Sequence, residues 1–87
     1  MIDLDAEIRS RLAPLQPETL QLDDESAAHA GHAGSGGGGH FNLLIISPQF
    51  AGKRLLDRHR MVKDLLKDLM PHAIHALSIR ALSPDEL

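Results

Sequence analysis

The chain has no cysteine, tryptophan or tyrosine, and its two phenylalanines are its only aromatic residues. Without cysteine there is no disulfide framework, and so no sign of an oxidising compartment. Any thiolate chemistry, an iron–sulfur centre included, must take its sulfur from a partner. With aromatics so scarce, the core has to be built from Leu, Ile, Val, Met and Ala, and nucleic-acid bases would find few rings to stack on. Positive charge is not in excess either. The net charge is −3 with histidine neutral, which argues against a general polyanion binder. Long apolar runs are missing as well: Leu43 to Ile46 is far too short to span a bilayer. Ile2 to Arg11 alternates acids with aliphatics and does not resemble a signal peptide. The expectation is a soluble, cytosolic single domain over residues 1–87, with a core just large enough to fold alone.

What the chain does have is histidine, six in 87 residues. His29, His32 and His40 bracket the glycine-rich stretch 31-GHAGSGGGGH-40, and His75 opens 75-HALSI-79. Imidazole is the commonest metal ligand, and His29 and His32 are three residues apart on a segment (26–39) whose small residues predict a flexible loop. One H-x-x-H pair also fits an inert connector, so spacing alone leaves both readings open. His75 has two readings too. It starts a strand and so belongs near a sheet rim, yet its face carries Leu77 and Ile79, as a core histidine's would.

Periodicity predicts an α-β-β-α-β-α order. Leu4, Ile8 and Leu12 recur every fourth residue, with acids early, Arg9 and Arg11 late, and Pro14 as the stop. Thr19–Asp23 alternates as a short strand. His40–Ser47 holds FNLLII, an apolar run suited to a central strand. Leu55–Met70 reads as the clearest helix, with Leu55, Val62, Leu66 and Leu69 in one stripe, Leu65 beside it, and Pro71 ending it. His75, Leu77, Ile79 and Ala81 share one face of a third strand. The sequence 83-SPDE-86 is a capping box that starts a last helix. The fold class is α/β (α+β), a three-stranded sheet with helices packed on one side.

A second constellation is basic. Lys53, Arg54, Arg58, Arg60 and Lys63 fall at the start of the long helix, where cations and free N–H groups together suit an anion such as a phosphate backbone. The same residues also read as a solvated face, with Arg60 and Asp64 able to pair one turn apart. His59 beside the apolar stripe reads as a hydrogen-bonded structural residue. Gly52 in 50-FAGK-53 reads as a turn residue, since one glycine falls far short of a phosphate-binding loop. No spacing of serine, histidine and aspartate marks a nucleophile. A non-enzymatic protein is expected.

Taken together, 24-DES-26 with His29, 40-HF-41, Ser47 with 50-FAGK-53, 58-RHRMV-62, 75-HAL-77 and 83-SPDE-86 resemble the BolA family, from Ile2 to the end of the chain. The resemblance implies a fold related to the type II KH topology. It implies a partner, a monothiol glutaredoxin, and a [2Fe-2S] cluster shared with that glutaredoxin and glutathione, in cluster trafficking and iron homeostasis. By position in the family pattern, this chain's ligands would be His75 and His29, with His32 as the alternative loop ligand. Some members use a loop cysteine, which this chain lacks. Histidine ligation of such a cluster is chemically reasonable. The family also includes stress-responsive transcriptional regulators. For that role Lys53, Arg54, Arg58, Arg60 and Lys63 would contact DNA.

Overall fold

The computed structural model describes residues 3–25, 39–70 and 72–87. Helix α1 spans Leu4–Leu12, with Asp3 as its cap, accepting from the Ala6 N–H at 3.3 Å. Arg9 and Arg11 reach back one turn to Asp5 and Glu7, each an i,i+4 ion pair. Pro14 does end the α-helix, but by tightening it into a 3₁₀ turn over Ala13–Leu15. That turn closes on Gln16 in the left-handed region, at φ 50°.

Three strands follow, β1 (Thr19–Asp24), β2 (Gly39–Ile46) and β3 (Ile74–Leu82), in the sheet order β1-β2-β3. β1 pairs antiparallel with β2, and β2 pairs parallel with β3. The apolar run FNLLII is therefore the central strand, as its composition predicts. The expected flexible loop 26–39 lies outside the described residues apart from Gly39, which begins β2.

Helix α2 covers Leu55–Leu66, then narrows to a 3₁₀ turn over Lys67–Leu69. It is shorter than the expected Leu55–Met70, and Pro71 lies outside the described residues. Ile8 and Leu12 of α1, Val62 and Leu66 of α2, and Phe41, Leu43, Ile45, Ile74 and Ala81 of the sheet form one buried cluster, with Phe50 at its end. Both helices thus cover one sheet face. Fully burying an aliphatic side chain of this size contributes about 1.5–3 kcal/mol, so these contacts are the main source of stability.

The apolar stripe of α2 differs from its expectation in one member. Leu55 is 62 % exposed and Leu56 61 %, whereas Arg58 is only 7 % exposed. Leu55 sits in the exposed first turn, and the inward position one turn on is filled by the arginine. The closing segment is also reduced: Pro84–Glu86 forms a single 3₁₀ turn and not an α-helix. Ser47 is buried between these elements. Its hydroxyl donates to the Leu15 carbonyl at 2.5 Å and accepts from the Gln49 N–H at 3.1 Å. Among the described residues, no helix is long and apolar enough to cross a membrane.

Candidate functional site

The pairing of β2 with β3 contains a register shift. Gly39 faces Ile74, but the next residue, His40, faces Ala76, so His75 is the extra residue of a β-bulge. A bulge re-aims the side chains around it. Ile74 turns fully into the core and Leu77 resumes the inward face, while His75 stands exposed at the rim. The strict alternation that grouped His75 with Leu77 and Ile79 therefore fails at this point, and the core-histidine reading fails with it.

Beside the bulge, residue 39 has little room for a side chain. The Gly39 N–H donates to the Ala73 carbonyl at 3.0 Å. A Cβ on residue 39 would meet the buried Phe41 ring at 2.5 Å and that same carbonyl at 3.2 Å. Sequence reasoning treated this glycine only as part of a flexible run.

The bulge brings His75 beside His40, with ring centroids 5.3 Å apart and planes inclined at 49°. A shallow cavity of about 160 Å³ adjoins them, lined by Glu25, His40, Phe41, Asn42, Ala76 and Ser78. Glu25 is held in place: its N–H donates to the His40 carbonyl at 2.7 Å, and its carboxylate accepts from the Asn42 amide at 2.6 Å. Among the described residues, no three His, Asp or Glu side chains converge as a metal site. His29 and His32, the expected loop ligands, lie outside the described residues. Nothing in the sequence reveals that a shifted register places His40 next to His75.

The basic constellation is divided by the fold. Lys53, Arg54, Arg60 and Lys63 are exposed. Arg58 is not part of that surface. Its guanidinium donates to the Lys53 carbonyl at 3.0 Å and the Ala81 carbonyl at 3.1 Å, and it pairs with Glu86 at 2.5 Å. Glu86 also accepts from the Ser83 N–H at 2.7 Å, which is half of the expected capping box. That backbone bond, with Arg58 and the Ser83 hydroxyl, lowers the Glu86 carboxyl to about 2. Arg54 pairs with Asp57 at 3.3 Å, whereas the anticipated Arg60–Asp64 pair does not form. Gly52 adopts φ 73°, in open space, as the turn residue it was expected to be. His59 differs from expectation: its Nε2 is buried without a hydrogen-bond partner.

The sequence model of the family described as BolA-like protein matches residues 12–86. The chain belongs to the BolA family. This BolA-like chain is 46 % identical to SufE-like protein 1, chloroplastic/mitochondrial, of Arabidopsis thaliana, over 92 % of its own length and 24 % of that protein's. It spans about half the length of a second relative, Protein BOLA1, chloroplastic, from the same plant (43 % identical over 83 % of this chain, 48 % of that protein). Its fold overlays the solved BolA domain of SufE1 from Arabidopsis thaliana with a TM-score of 0.83 and 43 % identity, covering 100 % of this chain and 99 % of that one. A protein named DNA-binding transcriptional regulator BolA, from Haemophilus influenzae, is 35 % identical over 82 % of this chain and 67 % of its own length. The two helices and the three-stranded mixed sheet are those of the family.

Proposed function

We propose that this BolA-like chain is a non-enzymatic, cytosolic partner of a monothiol glutaredoxin. Together they share a [2Fe-2S] cluster, with a role in cluster trafficking and iron homeostasis. The observation that carries this reading is His75, which the bulge lifts out of the core and presents on the sheet rim in a chain with no thiol of its own. An exposed imidazole fits iron in a mixed histidine–thiolate site. The cluster, when bound, supplies electron-transfer capacity; the thiolates come from the glutaredoxin and from glutathione. His75 provides one ligand, and His29 or His32 is the loop ligand that the family pattern implies.

The test is to mix the protein with a monothiol glutaredoxin, glutathione and a reconstituted cluster, and to record visible circular dichroism. A spectrum distinct from that of the glutaredoxin alone, and changed by His75→Ala, is expected. A spectrum unaltered by adding this protein sinks the proposal.

A second reading is DNA binding, favoured by the name of the Haemophilus relative and by the exposure of Lys53, Arg54, Arg60 and Lys63. Arg58 no longer belongs to that set. If these four cations contact phosphates, affinity falls with salt at a log–log slope of about −0.9 per contact, and neutralising one of them makes the slope shallower.

A further inference from the structure

We propose that the sheet face turned away from the helices binds a short zwitterionic peptide, of dipeptide length, between Asp23 and Arg80. This goes beyond cluster sharing and involves neither a metal nor the rim histidines.

Three observations carry it. The first is the placement of opposite charge. The register sets Asp23, Asn42 and Ser78 in one cross-strand row and Leu44 and Arg80 in the next. These five side chains leave the sheet on the face opposite the buried Leu43 and Ile45. The acid stands on β1 and the base on β3, with β2 between them, and neither makes an ion pair among the described residues. The second is room. A cavity of about 310 Å³ lies among them, within the range of about 300–1,000 Å³ usual for small-ligand sites. Half-buried Leu44 gives it an apolar floor. Ser78 offers a hydroxyl, and Asn42 a carbonyl oxygen, its amide N–H being committed to Glu25.

The third is span. Two strand spacings of about 4.8 Å across and two residues of about 3.3 Å along put the Asp23 and Arg80 backbones about 12 Å apart. Side chains that stand perpendicular to the sheet do not close that gap by themselves. A charge-assisted contact of about 2.8 Å at each end leaves about 6 Å between the ligand's own charges. An extended chain covers about 3.3–3.6 Å per residue, so two residues match and a single amino acid falls short. The peptide's ammonium then meets Asp23 and its carboxylate meets Arg80, with the peptide bond over Leu44 between Asn42 and Ser78.

The test is an NMR titration of the protein with the dipeptide Gly-Leu, followed at the backbone amides of Asn42, Leu44 and Ser78. Saturable shifts are expected there. Acetylating the peptide's amine, or amidating its carboxylate, should each weaken binding about two- to fivefold, the range of one exposed ion pair. The loss from acetylation should vanish in Asp23→Asn and the loss from amidation in Arg80→Gln, while each variant keeps the other loss. Both side chains are exposed, so both variants should retain the parent spectrum away from this face. Free glycine and free leucine should bind more weakly than the dipeptide. The proposal is overturned if this face shows no saturable shift, if the blocked peptides bind as well as the free one, if the losses persist in the matching variants, or if single amino acids bind as tightly. Neither glutaredoxin nor cluster enters this titration, so the peptide site and the proposed function can fail separately.

Discussion

Replacing Arg58 with alanine tests whether this arginine belongs to the core or to the surface. Its side chain is nearly dry, and it satisfies the carbonyls of Lys53 and Ala81 while holding Glu86. Truncation leaves the Ala81 acceptor unpaired at a buried residue, and it removes the apolar stem that fills the inward position of α2. The first effect costs about 1–3 kcal/mol and the second about 1 kcal/mol, for a total of about 2–4 kcal/mol before any contribution from Glu86. In a domain of this size that lowers Tm by about 10–25 °C. Urea unfolding followed by far-UV circular dichroism gives the number directly, with an unchanged m-value as the check that the unfolded state is the same. Arg58→Lys should recover only part of the loss, since one ammonium cannot reproduce a guanidinium fork that spans two carbonyls and a carboxylate. A loss within the about 0.5 kcal/mol typical of surface sites would refute the argument and return Arg58 to the exposed basic face.

Acid should destabilise the fold through the group that Arg58 holds. Because the Glu86 carboxyl is lowered from 4.5 to about 2, its stabilising contribution is complete above pH 4.5 and is lost as pH falls from there towards 2. Asp68, held below its ordinary value by Arg11, acts in the same direction. The Glu86→Gln variant should show a flatter decline of stability over that window in pH-dependent unfolding; an identical slope would exclude Glu86 as a contributor. Gly39→Ala should destabilise by about 1–3 kcal/mol, as overpacking does, and should shift the ring resonances of Phe41 and His75 in NMR spectra. A fully stable variant with unmoved resonances would show that the bulge does not depend on the glycine.

Much of the fold was legible because its signals are local. Leu4, Ile8 and Leu12 repeat at helical spacing. FNLLII can only be a strand buried near the centre of a sheet, and Gly52 before α2 is a turn. What was illegible depends on contacts distant in sequence. The burial of Arg58 requires Glu86 and the Ala81 carbonyl, both on elements beyond α2, so a basic run on a helix reads as surface until they are in place. The position of His75 depends on one inserted residue in β3, which an alternating pattern cannot register. His40 was read as the first residue of the central strand, but its neighbour was not, because the pairing register with another strand is not written in the sequence. The last helix was over-read because Ser83 and Glu86 do form their cap, but over one 3₁₀ turn only.

Parallel strands cannot be joined by a hairpin, and β2 reaches β3 only after the chain has passed through α2. No local fragment of chain therefore places His40 beside His75; the two rings meet only when the whole crossover has closed. A partner that reads this rim binds the native chain in preference to the unfolded one. Such a partner shifts the folding equilibrium by about 2.7 kcal/mol when its free concentration exceeds its Kd about a hundredfold. That is a large share of the roughly 5–10 kcal/mol expected for a small domain. Proteases in a cell draw on the unfolded fraction. The lifetime of this protein would then follow the supply of that partner, with its loss clearing the chain faster.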